Sequence, residues 1–339
     1  MRSPKALAVT LFTVLLAGVF LSPFLRSAMI ALSTREQLGQ ANAPIWPANP
    51  ATFEYQGREM VIYEVPFDDG TRDLALLRPG RTSSEFIDPA DPETVIPWEG
   101  SWRALERSWT VAPTWSNFSD VWVLIDYPRV LFNTIALAVI GTIGTVLSCT
   151  LVAYGFARFR FPGRGMLFTL LIATIFLPAA VTLIPTYTVF VKLGWVGTWL
   201  PILVPAFFAN AYDVFLLRQY LMTIPRDLDE AASIDGAGPF RILWSVILPQ
   251  AWPAVVTVGI FTFVYTWNDF FGPLIYLSTR PDLQPISVAL ARFNGLYSSN
   301  PALIQAGTLM TLILPVLLFI VFQRFFIRGI ALTGSGVER

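Results

Sequence analysis

The chain has 339 residues, 54% of them apolar and only 14% charged, with 23 basic and 23 acidic groups in balance; an ordinary soluble domain is roughly a quarter charged. Zero net charge argues against a nucleic-acid partner. The absence of histidine and a single cysteine, Cys149, exclude an intramolecular disulfide, zinc sites of the His/Cys type and nucleophile–histidine catalysis.

In chain order, the first element is an apolar segment over residues 6–25, preceded by Arg2 and Lys5. The charged start also fits a secretory signal peptide, but the apolar stretch exceeds the usual signal core and no convincing small-residue cleavage site follows. It is expected to be an uncleaved first membrane helix. The segment that follows, 33–129, differs in composition: it holds 15 of the 23 acidic residues, 8 basic residues, ten prolines and six of the eleven tryptophans. Within it, 52–55, 58–65 and 72–77 read as short strands, with Gln56-Gly57 and Asp69-Gly70 as turns. A small β-rich subdomain is predicted, against the alternative of a mostly irregular loop. Its tryptophans fit either a core or a membrane interface.

Five charge-free runs then follow the same logic: 130–157, 165–191, 193–212, 242–268 and 293–323. About 20 apolar residues at about 1.5 Å each span a hydrocarbon core of about 30 Å. Inside lipid the backbone must satisfy itself, which dictates helices. With 6–25 this gives six expected transmembrane helices. Gly141, Gly144, Thr145 and Ser148 carry small-xxx-small spacing, suited to close helix packing or to a pathway. Cys149 reads as a small helix- or lipid-facing residue. With the N-terminus inside, Lys and Arg near short loops divide eleven inside to three outside, so both termini are expected in the cytoplasm and the 33–129 segment outside it.

The loop 218–250 is therefore cytoplasmic. Pro225 suits a first helical position, Asp227 and Asp229 a positive helix terminus, and Asp235-Gly236 a left-handed stop. Gly238-Pro239 then opens a second short helix, expected to end at Leu248-Pro249. Helices this short are marginal in water, so either a docking partner or the rest of the chain must hold them. Asp269 and Asp213 are the acidic residues in or bordering the core spans, and an intramembrane carboxylate points to a pathway by default. Asp269 with Asn268 and Trp267 suits sugar hydroxyls and ring faces, or alternatively an interhelical hydrogen-bond cluster. Asp213 is expected to pair with Arg218.

Glu230-Ala231-Ala232, Gly236 and Leu248-Pro249 resemble the EAA signature of ABC-importer permeases, with Val246 at the position of the usual isoleucine. Asn133-Thr134, the run from Ala157 to Gly163, Trp267-Asn268-Asp269-Phe270, Pro315 and the run from Gln323 to Gly329 resemble carbohydrate-type permeases, the second maltose-type permease in particular, over nearly all of 113–336. The insert at about 41–112 has no counterpart in the short form of that loop. The resemblance implies an all-α membrane fold: a six-helix ABC-importer permease core carrying a small β-rich extracytoplasmic insert. The expected domains are 1–32 (tail and first helix), 33–129 (insert), 130–329 (five-helix core with the coupling loop) and 330–339 (cytoplasmic tail).

It also implies a role for the loop as the piece seated in a cytoplasmic ATPase subunit. Glu230 would pair with a basic residue there, and Ala231, Ala232 and Gly236 would permit close approach. Asp235 would cap the turn, and Phe240 would anchor the partner or hold the second helix on the membrane domain. Implied partners are a second permease, two ATP-binding subunits, an extracytoplasmic solute-binding protein and the lipid bilayer. No G-x-x-x-x-G-K-[ST] phosphate loop occurs, so magnesium-ATP belongs to a partner and no cofactor is expected in this chain. The resemblance points to a sugar or oligosaccharide importer of the cell membrane. The same architecture carrying glycerol phosphate or a peptide, a membrane scaffold and an intramembrane enzyme are the alternatives.

Overall fold

The computed structural model describes residues 4–68, 70–295 and 299–334. Asp69, Arg2 and the last five residues of the tail, which entered the turn, charge and boundary expectations, lie outside them. The chain divides into two compact units, Met1–Leu124 with Ala291–Met310, and Ile125–Leu290 with Thr311–Arg339.

In the first unit, α1 (Pro4–Ala31) is followed by a short α2 (Arg35–Leu38), eight strands and α3 (Ser116–Leu124). The strands are β1 (Ala48–Pro50), β2 (Thr52–Tyr55), β3 (Arg58–Phe67), β4 (Gly70–Arg78), β5 (Ser83–Asp88), β6 (Asp91–Glu99), β7 (Glu106–Arg107) and β8 (Trp109–Val111). A six-stranded antiparallel sheet runs β2-β3-β4-β5-β6, with β7 also paired to β3, and β1 pairs β8 in a separate ribbon. Gln56 and Gly57 both have positive φ, 51° and 73°, the backbone of a two-residue turn whose twist matches the flanking strands. At the β5–β6 turn the Ala90 N–H donates to Asp88 Oδ1 at 2.8 Å.

One face of the sheet is filled by Tyr63, Val65, Leu74 and Phe86, with Trp98 and Trp102 packed against them. Edge-to-face pairs Phe86–Trp98 and Tyr63–Trp102 have centroids 6.2 and 6.0 Å apart. The irregular-loop alternative therefore fails, and the tryptophans divide: Trp98 and Trp102 serve this core, while Trp46, Trp115 and Trp122 are exposed. Two buried amides attach the insert. Gln37 donates to the Pro44 and Trp46 carbonyls and accepts from the Ala48 N–H. Asn117 donates to the Ala31 and Ser33 carbonyls, tying the end of α1 to α3.

The second unit contains α4 (Tyr127–Arg158), α5 (Arg164–Ala173), α6 (Ala179–Lys192), α7 (Leu200–Ala206), α8 (Ala211–Thr223), α9 (Asp227–Ile234), α10 (Pro239–Ile242), α11 (Leu248–Trp267) and α12 (Phe271–Tyr276). The short α13 (Ile286–Ala291) and the final helix α14 (Pro301–Gly334) run across the boundary between units. Among the described residues, five helical stretches are long and apolar enough to cross a bilayer: Ala8–Ala31, Tyr127–Arg158, Leu200–Thr223, Pro239–Trp267 and Pro301–Val321.

Three expectations need correction. The run 165–191 is not one straight helix: α5 and α6 are bent by 101°, because Pro178 lacks a backbone N–H and drives Leu177 into extended conformation (φ −77°, ψ 116°). The run 193–212 misplaces its helix, which spans Leu200–Thr223 with a break between α7 and α8. Left-handed Gly194 and Gly197 (φ 68° and 84°) occupy the start of that run, and Asp213 and Arg218 are tolerated in α8 because both are partnered. Leu248-Pro249 does not stop the helix begun at Pro239. A π turn over Leu243–Ile247, with the Leu248 N–H reaching the Leu243 carbonyl, carries α10 into α11. The wider turn accommodates the proline that an unbroken α-helix would reject.

The small residues of α4 work as packing sites. A Cβ on Gly144 would lie 2.8 Å from the Phe207 ring, and the Ser148 hydroxyl contacts the Ala206 carbonyl at 3.3 Å. Cys149 is fully buried and faces helices, its Sγ 3.8 Å from the Asn210 carbonyl. At the other end of α4, Asn133 donates to the carbonyls of Asp282 and Gln284, and Thr134 accepts from the Ile286 N–H. These bonds fix the segment before α13.

Candidate functional site

Two places in the second unit bring the singled-out residues together. The first is α9 with its flanks. Asp227, Asp229 and Glu230 occupy its first turn, where carboxylates complement exposed N–H groups; Pro225 lies ahead of the helix instead of at its first position. The far end closes on Gly236 (φ +77°), with the Ala237 N–H on the Ala232 carbonyl at 2.9 Å and the Gly236 N–H on the Ser233 carbonyl at 3.0 Å. That pair of bonds is a Schellman stop, and Asp235 sits at its C-cap.

The helix is held from one side only. Arg158, the last residue of α4, forms an ion pair with Asp229 at 3.2 Å, both side chains largely buried, and also donates to the Ile224 carbonyl. The Tyr154 hydroxyl donates to the Pro239 carbonyl at 3.2 Å. Ala232 and Ala237 pack on a core cluster built from α4, α8 and α11. Asp229 Oδ1 and Arg158 Nε nevertheless have no hydrogen-bond partner among the described residues, so the clasp is close without being fully satisfied. The opposite side carries Glu230, Ala231 and Asp235, all exposed, together with Ile234 at 86% and Phe240 at 71% exposure. Phe240 therefore does not hold its helix against the membrane helices.

The second place is a cavity of about 650 Å³ lined by α4, α7, α8 and α11, whose polar side chains are Thr145, Asn210, Tyr212, Asp213, Thr262, Tyr265, Thr266 and Asp269. Asn210 caps α8 by accepting from the Asp213 N–H at 2.9 Å, and its amide donates to the Asp213 carboxylate at 2.7 Å. Arg218 is turned elsewhere, over the Phe168 ring at 4.1 Å and onto the Phe156 carbonyl. The expected Asp213–Arg218 pair is thus replaced by an Asn210–Asp213 pair, and Asp213 joins the cavity.

Of the expected trio only Asp269 lines it, accepting from the Gly272 N–H at 3.2 Å. Trp267 is buried at 3% exposure, stacked on Phe263 beside Ala138, Leu314 and Leu318. Asn268 is exposed and donates to the Val264 carbonyl. Sequence reasoning missed Arg158 as a clasp and Asn210 as a cap. The Asn-x-x-Asp spacing at the head of a helix was the available signal for the latter.

Residues 149–331 match the family of binding-protein-dependent transport system inner membrane components. The chain belongs to that family. Over 239 residues it is 34% identical to the osmoprotective compounds uptake permease protein GgtD of a Synechocystis species, covering 70% of this chain and 79% of that one. It is 33% identical over 227 residues to the sn-glycerol-3-phosphate transport system permease protein UgpE of Yersinia enterocolitica, covering 64% and 79%. Its fold is similar to a chain of a bacterial ABC transporter involved in import of the acidic polysaccharide alginate, with a TM-score of 0.65, 20% identity, and 96% and 99% of the two chains covered. Membership makes this a multi-pass permease component of a membrane transport system and not an enzyme.

Proposed function

We propose that the chain is one of two permease subunits of an ATP-driven, binding-protein-dependent importer whose cargo is a sugar or oligosaccharide. The observation that carries the coupling part is α9 with the start of α10: α9 holds three carboxylates in its first turn and a Schellman stop at its end, is clasped to α4 through Arg158–Asp229, and leaves Ile234 uncovered, as α10 leaves Phe240. A fold that completes a helix this carefully and leaves its outer face bare suits a second protein seated on it. Two cytoplasmic ATP-binding subunits, which hold magnesium-ATP, take that place. ATP shifts the transporter only by binding one conformation better than another. Closure of the ATPase pair would move α9 as a lever on α4 and α11 and open the cavity alternately to each side.

In this reading the bent pair α5–α6 counts as one crossing, giving six, with both termini and α9 cytoplasmic and the β-sheet insert outside. The charge bias of the short loops supports that orientation. The insert, acidic and built on its own core, is positioned there to steady or recognise the solute-binding protein. Deleting 41–112 should leave the membrane helices folded and weaken that docking; unchanged docking would reject this role. The cargo is tested by measuring ATP hydrolysis of the assembled complex with its binding protein across a panel of sugars and sugar phosphates. Stimulation by a sugar is expected, and a complex stimulated by none of them would remove the sugar assignment.

A further inference from the structure

We infer that the cavity between α4, α8 and α11 is an electrostatic filter that passes neutral or cationic solutes and rejects anionic ones. This rests on the reading above that the cavity lies on the solute route. Two carboxylates, Asp213 on α8 and Asp269 just after α11, line it, and no lysine or arginine is among its described lining residues. The basic residues that follow each carboxylate along the chain are committed elsewhere. Arg218, one turn along α8 from Asp213, is stacked on Phe168 and bonded to the Phe156 carbonyl. Arg280, in the segment after α12, is paired with Asp282 at 2.8 Å. Nothing among the described lining residues neutralises the carboxylates.

Their hydrogen bonding does not quench them either. Asp213 accepts from the Asn210 amide and the Thr262 hydroxyl, and Asp269 from a single backbone N–H, while an ionised carboxylate has about four acceptor sites. The remaining lone pairs favour a ligand that brings donors, as sugar hydroxyls do. The rest of the polar lining, which includes Thr145, Asn210, Tyr265 and Thr266, consists of uncharged groups suited to hydroxyls. A cleft of one sign between low-dielectric walls concentrates counter-ions and excludes like charge. A phosphorylated or uronic-acid cargo would have to shed its water against two like charges with no cation to receive it. UgpE and the alginate importer are related in sequence or fold, yet the lining of this chain argues for a different, uncharged cargo.

The test exploits the single native cysteine. In the assembled complex carrying Cys149→Ala and Thr266→Cys, the reporter thiol sits in the cavity one turn before Asp269. Its modification by a cationic trimethylammonium-ethyl and an anionic sulfonato-ethyl methanethiosulfonate is followed at pH 8 by mass spectrometry of this chain, each rate being divided by that of a free thiol. The cation is expected to be favoured by about tenfold or more. The preference should shrink on raising the salt concentration and collapse toward one in Asp213→Asn/Asp269→Asn. A reactive thiol with a normalised ratio near one, or a ratio insensitive to both salt and the double substitution, overturns the filter and leaves the route standing. A thiol that neither reagent reaches, with or without ATP, overturns both. The salt series needs no carboxylate variant, so it decides the matter even if the double substitution misfolds.

Discussion

The sheet insert and α9 are both small elements outside the apolar helices, and they treat their hydrophobic residues in opposite ways. The insert closes on itself, with Val65, Leu74 and Phe86 at 0% exposure and tryptophans laid over them. On α9 the inward positions, Asp229 and Ala232, are tied down, while Ile234, and Phe240 at the start of α10, face outward. One element buries its apolar residues within the chain, and the other leaves them uncovered, as the proposed seat for an ATP-binding subunit requires. Substitutions in the insert should therefore register as stability, and substitutions on the outer side of α9 as coupling.

The largest effect is expected from Phe86→Ala, which removes a fully buried ring from the insert at a cost of about 3–5 kcal/mol. Hydrogen exchange should show the sheet opening while α4 and α11 keep their protection; loss of α4 and α11 protection as well would mean that the insert is not self-contained. Next is Arg158→Ala, which strands Asp229 largely buried without its cation and should cost about 3 kcal/mol locally. Exchange in 227–234 should rise. Arg158→Ala/Asp229→Ala should be milder than the single change, since no orphaned charge remains; a double variant as damaged as the sum of the singles would dissolve the clasp.

Gly236→Ala comes third. Nothing lies within 4 Å of the added methyl, so the penalty is the left-handed backbone alone, about 1–2 kcal/mol. Fraying of the last turn of α9 should appear by the same exchange measurement, and an unchanged turn would contradict the strain argument. The smallest effect on folding sharpens the contrast most. Ile234→Asp alters an exposed position and should shift stability by no more than about 0.5 kcal/mol, yet sharply reduce solute-stimulated ATP hydrolysis. Full coupling in that variant would mean the bare face is idle.

Legibility in the sequence followed the range of the interaction. Local chemistry was readable: the Gln56-Gly57 turn, the strands around it, and the stop at Gly236 each depend on residues a few positions apart. β6 was not, because Pro92 and Pro97 argue against a strand, and β6 tolerates them as the edge of its sheet. Charge-free runs marked membrane helices but not their registers, since Asp213 and Arg218 sit in α8 once Asn210 and Phe168 partner them. The same long-range problem hid the Arg158–Asp229 clasp, whose partners lie on different elements. It also placed Trp267 on the wrong side of its helix: the aromatic suited a sugar, but packing on Phe263 and Ala138 took it into the core.

The most direct test is a photo-activatable crosslinker placed at Ile234→Cys in a Cys149→Ala background, with the chain assembled in its native membrane alongside its partners. Capture of a nucleotide-hydrolysing subunit, with a yield that changes when ATP is bound, is the predicted result. Crosslinks only to this chain or to lipid, or labelling of that cysteine from outside the cell, would contradict the account.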